Sequence, residues 1–112
     1  MDERLEQEII ELHSGICSAL ADPKRIMILY TLADGPRNVT ELSEELGLPQ
    51  PTTSRHLKVL RERDLVNTER SGTSVIYTLA DPKLLRALDL LRDVLRGIYI
   101  RRASVIENRD SA

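Results

Sequence analysis

The chain has 112 residues, 41% of them hydrophobic and 30% charged, with a net charge of −2 and a single cysteine. At roughly 100–200 residues per domain, one domain over 1–112 is expected, with no room for a catalytic domain beside a regulatory one. One cysteine excludes an internal disulfide and a self-contained cysteine metal cage. Charges break every apolar run short of the roughly 18 residues of a membrane span, and the acidic start MDERLEQEIIELH is the opposite of a secretory signal. The expectation is a soluble, cytoplasmic protein with no membrane partner.

The charge is unevenly spread. Residues 1–22 carry six acids and one base, whereas 50–70 carry five bases against three acids and 83–102 six bases against two acids. A basic face on an acidic protein can still grip phosphate, because the fields that matter at contact decay within about 10 Å in salt.

In chain order, Leu5, Ile9, Leu12 and Ile16 form one apolar helical stripe with Glu6, Glu8 and Glu11 outside it, so a first helix is expected over 1–20, weakened or bent at Gly15. Asp22-Pro23 is a cap followed by proline at the first helical position, and it opens a second helix that Gly35-Pro36 stops. Ile26, Leu29, Tyr30 and Ala33 are its expected inner face. Asn38 with Glu41 three residues on reads as a capping box for a short third helix, closed by Gly47. The segment 50–63 is helical again, with Thr53, Leu57 and Leu60 inward.

From Leu65 the pattern changes. LVNTER and SVIYTLA, rich in β-branched and aromatic residues, flank Ser71-Gly72-Thr73 and read as a hairpin. Asp81-Pro82 repeats the helix-start signal, and one long helix follows to about residue 106, some 35 Å. Its stripe of Leu84, Leu88, Leu91, Leu95 and Ile98 is too long for this chain to cover alone. Together with Leu5, Ile9 and Leu12 it is the expected interface of a homodimer through the first and last helices.

The expected fold is therefore mainly α, a winged helix-turn-helix of about five helices and a two-stranded β-hairpin wing: helix-turn-helix core 22–64, wing 65–80, terminal helices 1–20 and 82–106. In that arrangement the second helix of the turn motif enters the DNA major groove. Its exposed face is expected to be Gln50, Thr52, Ser54, Arg55, His56 and Lys58. Glutamine can bond adenine bidentately, arginine can read guanine, and serine or threonine suits phosphates, either base edge, or a thymine methyl. The wing tip Arg70, Ser71, Gly72 and Thr73 would reach phosphates or the neighbouring groove.

ALADPKRIMILYTL, VTELSEELGLPQPTTSRHLKVLRERDLV and RSGTSVIYTL closely resemble the ArsR family of bacterial and archaeal repressors, over roughly residues 14–100. The resemblance implies a homodimer that binds an imperfect palindrome in double-stranded DNA and is released by an effector. Carried over, the DNA-reading residues are Gln50, Thr52, Ser54, Arg55 and His56, with the wing at Arg70 to Thr73. Thr53 departs from the apolar residue usual in relatives, and its buried hydroxyl needs a partner, most simply a carbonyl one turn back.

Sensing departs further. The arsenic-type site needs cysteines in NVTELSEELG, which has none. The zinc-type site needs histidines on the last helix, which offers Asp89 and Asp93 alone, and carboxylates by themselves are poor zinc ligands. No metal or other cofactor is expected, and the effector is left open. His13 and Cys17, four apart on the first helix, could share a metal or a redox switch across a dimer axis; the plainer expectation is a buried, structural Cys17. No Gly-rich phosphate loop or nucleophile elbow suggests an enzyme. The competing class is a winged-helix module that binds protein, which should show exposed apolar anchors on the recognition face.

Overall fold

A computed structural model describes residues 1–110 of the chain; the last two positions of the expected domain lie outside the described residues. Helix α1 (Glu3–Leu12) runs into a π-helical turn (His13–Cys17), followed by α2 (Pro23–Ala33), α3 (Val39–Leu46), α4 (Gln50–Glu62), strands β1 (Val66–Ser71) and β2 (Ser74–Leu79), and α5 (Lys83–Asp110). The chain divides into two compact units, Met1–Asp81 and the segment from Pro82 onward.

The helix boundaries follow local chemistry. The Asp22 carboxylate accepts from Lys24 N–H at 2.8 Å, with Pro23 at the first helical position. Both halves of the capping box form: Glu41 N–H donates to Asn38 Oδ1 at 2.8 Å and Asn38 N–H to Glu41 Oε1 at 3.0 Å. Gly47 ends α3 at φ 65°, a left-handed conformation that turns the chain toward α4 at little steric cost. Just past the Arg63 cap of α4, Asp64 is the one non-glycine residue at positive φ among those described, and Leu65 N–H reaches back to Leu60 O at 2.9 Å.

The weak point expected at Gly15 coincides with the π turn, although a Cβ at that position would meet no atom within 4 Å. The inner face of α2 differs from the sequence reading. Ile28, Leu29 and Leu32 are buried, Ile26 and Tyr30 only half-buried, and Ala33 exposed. Helix α2 touches α3, α4 and β2, so its buried arc is wide and centred where three partners converge. Leu42 from α3, Leu57 and Leu60 from α4 and Val66 from β1 complete this core. Each fully buried leucine contributes about 1.5–3 kcal/mol.

The wing is an antiparallel pair registered from Val66 opposite Leu79 to Ser71 opposite Ser74. Its loop is Gly72-Thr73, one residue shorter than the expected Ser71–Thr73, because Ser71 still pairs. Gly72 at φ 61° supplies the positive φ that a two-residue hairpin needs at its first loop position. Arg37, between α2 and α3, adds a backbone bridge to Tyr77, with N–H to O distances of 3.2 and 2.8 Å. The Arg37 side chain grips Glu45 at 3.0 Å, which fixes α3 beside the wing.

Helix α5 runs four residues past the expected end, about 42 Å in all. Arg92 pairs with Asp89 and Arg96 with Asp93 along its surface. No helix among the described residues is long and apolar enough to cross a membrane.

Candidate nucleic-acid interface

Helix α4 is built to face two ways. Thr53, Leu57 and Leu60 are fully buried, which leaves Gln50, Ser54, Arg55 and Lys58 exposed on the outer side. At 13 residues the helix is about 20 Å long, a size that a major groove about 12 Å wide admits.

The buried Thr53 hydroxyl has the partner its position demands, and a second one. It donates to Pro49 O at 3.4 Å, the carbonyl one turn back, and accepts from Ser43 Oγ at 2.9 Å. Two buried hydroxyls therefore satisfy each other at the α3–α4 crossing and set the angle at which α4 is presented. Thr53→Val is expected to strand the Ser43 hydroxyl and cost about 1–3 kcal/mol of stability in chemical denaturation. Ser43→Ala in the same chain should restore most of that loss, and equal stability of single and double variants would rule the account out.

On the outer side the side chains are lightly pre-oriented. Gln50 Nε2 donates to Thr40 Oγ1 at 3.2 Å, and Arg55 Nη2 to Thr52 Oγ1 at 3.4 Å. Thr52 is half-buried. At the wing, Arg70, Ser71, Gly72 and Thr73 are all exposed.

His56 is placed differently from its expected neighbours. Its side chain keeps only 12% exposure and turns toward α2. Nδ1 lies 3.3 Å from Arg25 Nη1, and Nε2 lies 3.9 Å from an Asp22 carboxylate oxygen. A guanidinium only donates, so Nδ1 carries the lone pair and Nε2 the proton. Burial pulls the imidazole below its ordinary pKa of 6.5; Asp22 opposes this, and Arg25, Lys24 and Arg55 add to it. Asp22 is itself held below the usual carboxylate range, first by the Lys24 N–H it caps and then, against some desolvation, by His56 and Arg25.

His56 is thus an inward residue rather than part of the exposed recognition face. Its spacing carried the signal, since 53, 56, 57 and 60 are i, i+3, i+4 and i+7 of a buried stripe. Asp22 and Arg25 left no such trace, because Arg25 lies 31 positions from His56.

The remaining expected sites separate into exposed and covered. Leu5, Ile9 and Leu12 on α1, and Leu91 and Leu95 on α5, are exposed in the single chain. Leu84 and Ile98 are half-buried, and Leu88 is buried within the single chain. Cys17 is exposed, contrary to the expected buried thiol. Burial on this segment passes instead to Ala19, and in part to Gly15, Ile16 and Leu20. His13 is exposed as well.

A groove of about 620 Å³ lies along α1, floored by Leu5, Ile9, Leu12 and Ile16 and rimmed by Glu8, Glu11, Glu62 and Asp64. Arg63 crosses its edge, donating to Ser14 O at 3.0 Å.

Residues 22–68 match the model of the bacterial regulatory protein, arsR family. The nodulation protein NolR of Rhizobium meliloti is 35% identical over 89 residues, 80% of this chain and 73% of NolR. The chain belongs to the ArsR family. This ArsR-family chain is also 44% identical over 78 residues to the HTH-type transcriptional repressor SmtB of Mycobacterium tuberculosis. That match takes in 70% of the ArsR-family chain, which spans 58% of SmtB's length. Its fold matches the solution structure of a homodimeric winged helix-turn-helix DNA-binding domain from Mycobacterium bovis, with a TM-score of 0.74 and 27% identity, covering 88% of this chain and 91% of that one. The helix-turn-helix of α3 and α4 and the β1–β2 wing are those of the winged-helix regulators.

Proposed function

We propose that this ArsR-family protein is a homodimeric, sequence-specific repressor that binds an imperfect palindrome in double-stranded DNA and is not an enzyme. The observation that carries the reading is the two-sidedness of α4. Its inner face is anchored by buried leucines and the Thr53–Ser43 pair, while its outer face offers an amide, a hydroxyl, a guanidinium and an ammonium at Gln50, Ser54, Arg55 and Lys58. These are base-edge and phosphate partners. The outer face carries no apolar anchor of the kind a protein-binding module would need. Arg70, Ser71 and Thr73 extend the contact to phosphates beside the wing.

The dimer reading rests on the exposed leucines and isoleucines of α1 and α5 and on the homodimeric Mycobacterium bovis domain. The acidic rim of the α1 groove and the arginines of α5 are complementary in charge. A two-fold dimer with two recognition helices reads half-sites about one helical turn, or a multiple of it, apart. The repressor reading is supported by the likeness to SmtB, and the familiar cysteine and histidine metal positions are unfilled by this sequence.

Selection of duplexes from a random library tests this reading. A pseudo-palindrome should emerge, bound by a species of about 25 kDa, twice the chain mass of 12.7 kDa. Lys58→Ala should weaken binding to all duplexes alike and flatten the slope of log affinity against log salt by roughly one unit for each phosphate left without its cation. A library that yields no preferred duplex would overturn the proposal, and an unchanged salt slope would remove Lys58 from the interface.

A further inference from the structure

We propose that Arg25 is the positioning residue for DNA recognition, holding α4 to the end of the N-terminal helical segment through a neutral His56, so that DNA affinity falls when His56 gains a proton. The inference rests on the DNA-binding reading of α4.

The geometry joins three segments at one guanidinium. Arg25 Nε donates to Ala19 O at 2.6 Å, Nη2 to Ser18 O at 3.3 Å and Nη1 to His56 Nδ1 at 3.3 Å. The two carbonyls belong to the turn that follows the π turn, where Ser18 O also accepts from Ala21 N–H at 3.3 Å. Arg25 itself is fixed at the start of α2, whose cap is Asp22, the same carboxylate that faces His56 Nε2. A second tie joins the far end of α4 to the same segment, from Arg63 to Ser14 O at 3.0 Å. The recognition helix is thus tied to residues 14–19 at its middle, through His56 and Arg25, and at its C-terminal end, through Arg63.

The link works in one protonation state. Neutral His56 presents a lone pair at Nδ1, which the guanidinium needs. A proton there places an N–H against a second donor and a positive charge against another. The charged groups around the imidazole are Asp22, Lys24 and Arg25 from the start of α2 and Arg55 from α4 itself; among the described residues, neither α3 nor β1 adds one. Three cations outnumber one carboxylate. Burial acts in the same direction, holding the imidazole below its ordinary 6.5, so the tie is intact above about pH 6.5 and is lost as pH falls through the lowered value. Where binding requires neutral His56, affinity falls by up to about tenfold per protomer for each pH unit below that midpoint.

The experiment compares the parent with His56→Asn, which keeps an acceptor near the Nδ1 position and does not titrate, and with Arg25→Lys, which cannot span three acceptors. Duplex affinity is measured from pH 7.5 to 5, and the backbone amides of residues 18–20 and the His56 ring are followed by NMR without DNA. In the parent, affinity should drop with acid and the amides should shift with the midpoint of the ring. His56→Asn should bind like the parent at pH 7.5 and lose both responses, whereas Arg25→Lys should bind several-fold more weakly at pH 7.5 with a flattened acid response. Parent-like acid profiles in both variants, or amides that ignore the His56 titration, would overturn the proposal while leaving DNA binding intact. A parent that binds no duplex at pH 7.5 would overturn the DNA reading, and this proposal with it.

Discussion

Replacing Leu91 and Leu95 together by glutamate is expected to abolish DNA binding at micromolar protein and leave a folded monomer of the 12.7 kDa chain. These side chains are 62% and 44% exposed in the single chain, so the monomer loses little when they change. In the proposed dimer they are buried, and an uncompensated carboxylate in such an interface costs several kcal/mol. With the dimer gone, each recognition helix meets its half-site alone and the gain from simultaneous engagement disappears. Leu88 is avoided because it is already buried within the single chain, and a glutamate there would test folding rather than assembly. Sedimentation reads the assembly state and circular dichroism the fold. A double variant that stays dimeric would place the interface elsewhere than on this face of α5.

Arg55→Ala is expected to lower affinity for the selected duplex by about 1–3 kcal/mol, or 5- to 150-fold in Kd, and to relax base preference at one position in each half-site. The guanidinium stands on the outer face of α4, where its contact with Thr52 Oγ1, at 3.4 Å, is too weak to hold it away from a base edge. Arg55→Lys should recover charge but not selectivity, because an ammonium cannot make the two parallel bonds that read guanine. A panel of single-base variants of the duplex separates the outcomes. A uniform loss across the panel would make Arg55 a phosphate contact, and an unchanged Kd would place recognition on another part of the face.

What the sequence determined by itself was everything encoded within a few residues of the backbone it shapes. Asp22-Pro23, the Asn38–Glu41 box and Gly47 set the helix ends because a capping side chain reaches only two or three residues along the chain. The change of period after Leu65 marked the wing, and the buried period of Thr53, Leu57 and Leu60 left Gln50, Ser54, Arg55 and Lys58 outside. The stripes of α1 and α5 were legible for the same reason. Only the tertiary structure decided which flank of a stripe is covered, and by what. The buried arc of α2 moved to Ile28 and Leu32 because α3, α4 and β2 meet it from several sides. The Cys17 thiol stayed exposed because that segment packs through Ala19. Ser43 met Thr53 across a helix crossing, and Arg37 met Tyr77 across a loop. His56 turned from the recognition face to Arg25 and Asp22, groups more than thirty positions away in the chain. Periodicity describes one element at a time, whereas a guanidinium on one helix that bonds two other segments at once has its partners only after those segments have packed.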